Sequence, residues 1–259
     1  MDKHFLDAVV EVTRRAGEMV ETIAAEGFET NYKGHNDPVT TADHAANDYL
    51  KEHLCALLPE AGWLSEETRD SEDRLDKAYV WIVDPIDGTK EFVQRVPQYA
   101  VSVALAHHGD VVLGVVYNPA RDECFHALKG VGAWLNDQPM AAVAPKREPL
   151  LILGSRSEIK RGEFVQFEGL ADVEAVGSIA YKLALIAAGR ANTTFSLGPK
   201  NEWDIAAGVA LVEAAGGRAT DKAGQPLVFN QRNTLTNGIL ATAKGDFDRV
   251  LAMIQSRQG

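Results

Sequence analysis

The chain has 259 residues, 46% of them hydrophobic and 24% charged, and a formal net charge of −11. This is the composition of a folded globular protein long enough to bury a large core, and its acidic balance argues against a general nucleic-acid binder, because phosphate backbones are held by basic surfaces. No run approaches the roughly 20 apolar residues of a membrane span, and charges interrupt the opening M-D-K-H-F-L-D-A-V-V, so it does not read as a secretory signal and the cytoplasm is the expected location.

Residues 3 to 26 place Phe5, Val9, Val12, Ala16, Val20 and Ile23 at three- and four-residue spacings, which predicts an amphipathic helix that ends at Gly27. A polar, turn-rich stretch, N-Y-K-G-H-N-D-P-V-T-T-A-D, precedes a second helix expected from about Ala42 to Leu58, with Thr40 or Thr41 as its cap. G-W-L-S-E-E and Y-V-W-I-V-D read as short strands that carry acids at their ends. The charged loop between them, T-R-D-S-E-D-R-L-D, is most simply a mobile, solvated segment with room to close over whatever lies beside Glu66. From Tyr99 to Trp134, apolar alternation and short turns predict an antiparallel meander. The remainder predicts a strand at 150 to 155, a helix from about Ser178 to Gly189, strand-like T-T-F-S, a helix from about Trp203 to Ala215, and a final strand and helix.

No Pro-, Gly- or Ser-rich linker divides the chain, and no internal repeat is visible. The expected organisation is an N-terminal α+β half over residues 1–145 carrying most of the acidic motifs, and a C-terminal α/β half over residues 146–259 that completes the site. Cys55 and Cys124 have no Cys-x-x-Cys spacing and read as buried free thiols.

The chemistry concentrates in W-I-V-D-P-I-D-G-T-K-E-F, residues 81 to 92, where an apolar strand ends in two carboxylates, Asp84 and Asp87. Pro85 stiffens the turn, so both side chains and the carbonyl of Ile86 can converge on one point, and Gly88 lets a phosphate approach the backbone. A helix beginning after Gly88 would aim the N–H groups of Gly88 and Thr89 at that phosphate. D-P-x-D-G would equally make an ordinary turn. The context favours a metal-and-phosphate corner, because further acids stand at loop or helix starts: Asp37 and Asp43 in D-P-V-T-T-A-D, Glu66 and Glu67 in L-S-E-E-T, and Asp204 in N-E-W-D-I-A-A-G.

This ordered set, D-P-V-T-x-x-D, S-E-E, W-I-V-D-P-I-D-G-T and E-W-D-x-A-A-G followed by E-A-A-G-G, resembles the inositol monophosphatase superfamily of lithium-sensitive, magnesium-dependent phosphomonoesterases. The resemblance spans nearly the whole chain and implies an α+β fold, a layered α/β/α/β/α sandwich of the inositol monophosphatase and fructose-1,6-bisphosphatase type. It implies a first Mg²⁺ held by Glu66, Asp84 and the carbonyl of Ile86, and a second held by Asp84, Asp87 and Asp204, for two or three ions in all. Asp43 and Thr89 match the pair that orients and deprotonates the attacking water, with Glu66 also at the catalytic centre. Lys33, Gly88, Thr89, Ser178 and Asp204 match substrate-binding positions. Glu67 is expected behind Glu66. Asp204 would otherwise cap its helix, and Asp37 would stabilise the turn before Pro38.

K-E-F after D-P-I-D-G-T, the E-W-D-x-A-A-G form and S-R-S at 155 to 157 resemble the 3'(2'),5'-bisphosphate nucleotidase branch, with phosphoadenosine phosphate as substrate. Glu158, where nucleotidases often carry His, departs from that pattern, and G-S-I-A-Y-K-L lies between the branches. Inositol 1-phosphate, a sugar bisphosphate and histidinol phosphate are the alternatives, and a regulator that binds metal or phosphate without turnover is the alternative of another class. The partner expected is a small phosphorylated metabolite, with neither a nucleic-acid polymer nor a membrane, and a homodimer is compatible with the sequence. At least one of Arg156, Lys182 and Lys200 is expected at the pocket mouth, facing a second phosphate.

Overall fold

Asp2 opens the first helix, Lys3–Glu26 (α1), by accepting the amide of Phe5 at 3.0 Å, and Gly27 closes it. The computed structural model describes residues 1–34, 37–143 and 147–256, and the expected division at 145/146 lies outside the described residues. The stretch expected as polar turns instead contains an antiparallel pair, Thr30–Gly34 (β1) and Asp37–Thr40 (β2). Thr40 then caps helix Thr41–Leu57 (α2). Next come strands Gly62–Ser65 (β3) and Tyr79–Asp87 (β4), helix Thr89–Val93 (α3), and strands Ala100–His107 (β5), Asp110–Asn118 (β6), Glu123–Leu128 (β7), Gly132–Leu135 (β8) and Gln138–Pro139 (β9). The seven strands from β3 to β9 form one sheet in sequence order, parallel between β3 and β4 and antiparallel thereafter.

The second half contributes Leu150–Gly154 (β10), Arg156–Lys160 (α4), Ala171–Ala175 (β11), Ile179–Ala187 (α5), Thr193–Ser196 (β12), Lys200–Asn201 (β13), Glu202–Ala214 (α6), Arg218–Thr220 (β14), Leu235–Thr236 (β15), Ile239–Thr242 (β16) and Phe247–Gln255 (α7). Its five-stranded sheet runs β11-β10-β12-β16-β14, and β13 pairs with β15 alongside.

Side-chain alternation along the strands separates three apolar layers. Trp81 and Val83 of β4 pack with Leu6 and Val9 of α1 and Leu50 and Leu54 of α2, whereas Val80 and Ile82 face the opposite side, towards α5 and α6. On β16, Ile239 and Ala241 also face that central pair of helices, while Leu240 turns outward to Val250 and Ile254 of α7. The result is the layered α/β/α/β/α sandwich that the motifs imply. Helix α6 enters the central layer closely because Gly208 has no side chain: a Cβ there would stand 2.4 Å from Leu183 of α5. Of the two cysteines, Cys124 is buried and Cys55 only partly so, and both are free.

Candidate active site

Because β3 and β4 run parallel, their C-terminal ends reach the same edge of the sheet and bring Glu66 beside Asp84. Within β4, Asp84 pairs with Ser102 of β5 and Asp87 with Ala100, so β4 carries one extra residue across this interval. The bulge falls between Asp84 and Asp87, an interval that includes Pro85 with no N–H to give to the ladder, and it brings to one side two side chains that an unbroken strand would send to opposite faces. The turn is fixed locally. Asp84 Oδ1 accepts the Ile86 amide at 3.0 Å, and Gly88, at φ 93°, turns the chain into α3 through a conformation that residues with a Cβ resist.

Thr89, the first residue of α3, has one hydroxyl hydrogen and two acceptors in reach, the Ile86 carbonyl at 3.0 Å and Asp43 Oδ1 at 3.2 Å. Asp43 is buried at the third position of α2. Its Oδ2 accepts both the amide and the hydroxyl of Thr40, at 2.7 and 2.6 Å, which leaves Oδ1 turned to Thr89. Burial raises its pKa above the ordinary value. Asp204 occupies the corresponding position of α6 and accepts the Asn201 amide at 2.9 Å.

Glu66, Asp84 and Asp204 each offer one oxygen to a group whose members all lie within 4.8 Å of one another. Burial is the largest cause of raised proton affinity at all three carboxyls; neighbouring carboxylates add to it, and at Glu66 Lys33 opposes it. Asp84 is held well above its usual range by burial and then by Glu66, Asp87 and Asp204, while Asp204 is pushed up to about 8 by burial and then by Asp87 and Glu66. Three buried carboxylate oxygens gathered this closely, with raised proton affinity, are a donor set for a hard divalent cation.

Asp87 stands apart from that trio. Its Oδ2 accepts the Ser178 hydroxyl at 2.5 Å and the Ala180 amide at 2.6 Å, which binds it to the first turn of α5. Lys33, expected against substrate, reaches Glu66 at 2.6 Å and Glu67 at 2.7 Å. Although burial opposes its charge, the two glutamates hold the ammonium proton more tightly than in a free lysine. Glu67 lies behind Glu66, and Asp37 lines the cleft.

The cleft has a volume of about 390 Å³ and is lined by both acidic and basic side chains. The acids are Asp37, Glu66, Asp84, Asp87 and Asp204, and the bases include Arg156, Lys160, Lys182 and Lys200. Lys182 is only 2% exposed, and burial lowers its pKa to about 8. Its Nζ donates to the Val176 carbonyl at 3.3 Å. Arg156 and Lys200 have acidic neighbours, Glu91 at 3.5 Å and Glu158 at 3.2 Å.

A profile described as the inositol monophosphatase family matches residues 1–258. The chain belongs to the inositol monophosphatase family. Among curated relatives, it is 35% identical over 239 residues to the 3'(2'),5'-bisphosphate nucleotidase CysQ of Escherichia coli, covering 90% of this chain and 96% of that one. It is 34% identical over 250 residues to an inositol-1-monophosphatase of Mesorhizobium japonicum, covering 92% and 93%. Among solved structures, the extragenic suppressor protein SuhB of Bartonella henselae superposes with a TM-score of 0.84 at 29% identity, covering 97% of this chain and 98% of that one. As a member of this family the chain is a phosphatase, and its resemblance to the nucleotidase branch is matched by the CysQ relatives.

Within this inositol monophosphatase fold, three further residues escaped the sequence reading. Asn47, one helical turn beyond Asp43, accepts the hydroxyls of Ser65 and Thr68 at 2.7 and 3.1 Å and so holds the Glu66 corner against α2. Its spacing of four from Asp43 was a readable signal. Arg74 and Glu202 are the others. The loop expected to be solvated contains a short 3₁₀ turn, Glu72–Asp76, whose Arg74 is only 2% exposed.

Proposed function

We propose that this phosphatase is a magnesium-dependent 3'(2'),5'-bisphosphate nucleotidase that converts phosphoadenosine phosphate to AMP and phosphate. The observation that supports the reading is a set of basic residues in the same cleft as the acidic corner. A substrate with one phosphate to be cleaved and another to be held has use for both, and Arg156, Lys182 and Lys200 all line the same cleft as Asp84.

Glu66, Asp84, Asp204, Asp87 and the Ile86 carbonyl would hold Mg²⁺, which the all-oxygen donor set fits. Bound ions would supply Lewis acidity to the phosphoryl group and acidify water. The chain's own part is to move the proton. Thr89 Oγ1 accepts it from the attacking water while donating its hydrogen to Asp43 Oδ1, and the raised proton affinity of Asp43 suits an acceptor. Gly88 and Thr89 present N–H groups to the phosphate. Lys33 neutralises Glu66 and Glu67, and Ser178 keeps Asp87 in place.

One observation favours the inositol monophosphatase reading. Glu158 beside Lys200 and Glu91 beside Arg156 reduce the net charge of these basic residues, which suits a neutral polyol. A phosphate-release panel with phosphoadenosine phosphate, inositol 1-phosphate, fructose bisphosphate and histidinol phosphate separates the two. Phosphoadenosine phosphate is expected to give the highest kcat/KM, and Arg156→Ala to raise its KM more than that of adenosine 3'-phosphate, since one charge-assisted contact contributes roughly 1.5–3 kcal/mol. A higher kcat/KM for inositol 1-phosphate replaces the nucleotidase reading. Equal inactivity towards all four would favour a binding role.

A further inference from the structure

A charged network centred on the buried side chains of Arg74 and Glu202 takes no part in the chemistry just described. The Arg74 guanidinium grips Asp70 with Nε and Nη2, at 2.7 and 2.8 Å, and donates from Nη1 to Asn230 Oδ1 at 2.6 Å and from Nη2 to the Gln231 carbonyl at 3.0 Å. Asn230 returns a bond from its side-chain amide to the Arg74 carbonyl at 3.1 Å. The amides of Asn230 and Gln231 donate to the two carboxylate oxygens of Glu202 at 2.6 and 2.8 Å. Glu202 is 1% exposed, begins α6, and stands two positions before Asp204.

The two ends of this network are the two elements that carry separated members of the carboxylate trio. Arg74 belongs to the loop that leaves Glu66 and Glu67, and it also backs onto β3, where a Cβ on Gly62 would stand 2.9 Å from the Arg74 Cβ. Glu202 lies in the first turn of the helix that presents Asp204. We propose that the Arg74–Asn230–Glu202 bracket sets the spacing between the Glu66 corner and Asp204, making Arg74 and Asn230 positioning residues for the metal centre.

The physical reason is that these acids repel one another until a cation arrives, and Mg²⁺ tolerates little departure from octahedral geometry. A strut that resists the repulsion preserves affinity without touching the ion. A buried ion pair is weak evidence of stabilisation in itself, since apolar side chains of similar volume often do as well, whereas a planar fork with fixed acceptors defines a distance.

The proposal rests on the reading of Glu66, Asp84 and Asp204 as metal ligands, and Mn²⁺ binding to the full chain, followed by electron paramagnetic resonance, tests both. Asn230→Gly is the sharper variant. It keeps the backbone at φ 60° and the amide to Glu202 but deletes both side-chain links to Arg74. It and Arg74→Met are expected to weaken Mn²⁺ binding roughly 10–100-fold, the range found for partners of metal ligands, with kcat at saturating Mg²⁺ little changed and partial recovery in Arg74→Lys. If Arg74→Met does not fold, as circular dichroism would show, Asn230→Gly decides alone. Wild-type Mn²⁺ affinity in Asn230→Gly overturns the bracket while leaving the metal site standing. No Mn²⁺ binding by the unmodified chain overturns both.

Discussion

Asp43 and Asp204 share one local motif and differ in everything around it. Each is the third residue of a helix and accepts the amide of the residue before that helix, Thr40 at 2.7 Å and Asn201 at 2.9 Å. Around Asp43 the other polar neighbours in contact are hydroxyls, Thr40 and Thr89. Around Asp204 they are carboxylates, Glu66 and Asp84. Burial raises the pKa of both, but only at Asp204 do Asp87 and Glu66 add enough repulsion to carry it to about 8. A capping box therefore determines where a carboxylate stands, and its neighbours determine whether it suits a proton or a cation.

Asp204→Asn should break this comparison most severely. Asn keeps an acceptor for the Asn201 amide, so α6 still begins in place, but the trio loses a charge. Phosphate release is expected to fall further than the roughly 10²–10⁴-fold associated with one proton-transfer group, together with Mn²⁺ affinity. Unchanged Mn²⁺ binding would remove Asp204 from the metal centre. Next, Asp43→Asn and Thr89→Ala should lower kcat within that roughly 10²–10⁴-fold range while leaving Mn²⁺ affinity near wild type. A parallel loss of affinity would mean that the two aspartates do the same work.

The pH dependence of the metal-free protein sharpens the contrast. Folded Asp204 keeps its proton to about pH 8, against an ordinary value of 3.8, so between these limits the folded state binds more protons than the unfolded one. Its contribution is complete below the lower value and is lost as pH rises towards 8. In chelator, Tm should drop from pH 5 to pH 8, and saturating Mg²⁺ or Asp204→Asn should flatten the drop. A Tm independent of pH in chelator would show that the crowded acids do not share protons.

The smallest effect has the opposite sign. His126, stacked on Trp134, is lowered by burial to about 4 from 6.5. Here the unfolded state binds more protons in the window, so stability falls as pH drops from 6.5 to 4, by less than about 3 kcal/mol. His126→Phe should remove that acid-side slope, measured as Tm against pH, and leave the alkaline slope of the carboxylates untouched.

Much of this was legible in the chain. Helices α1, α2, α5 and α6 fall within a few residues of the expected positions, α1 because of its apolar period and the others because their starts are readable and their interiors apolar. The acids Glu66, Asp84 and Asp204 were found because they end strands or begin helices. What could not be read were relations across the sequence. The β1–β2 pair was hidden by a composition that also makes turns. The role of Ser178 in binding Asp87 depends on where α5 docks. Arg74 looked like one more charge in a solvated loop because its partners, Asn230 and Gln231, lie in a segment far along the chain. Local signals report local structure, and buried polar networks are assembled from distant pieces.

The placement of β16 bears on how the enzyme comes into being. This strand enters between β12 and β14, so the five-stranded sheet stays divided until residues 239–242 have slotted into its interior. The seven-stranded sheet is nearly all neighbour-to-neighbour pairing and can form while the chain is still being made. A nascent chain would therefore display Glu66, Asp84 and Asp87 on an early-folding platform, with Asp204 joining late. Catalytic competence then waits until residues 239–242 have joined the second sheet, and a chain cut short before them has little means of hydrolysing metabolites.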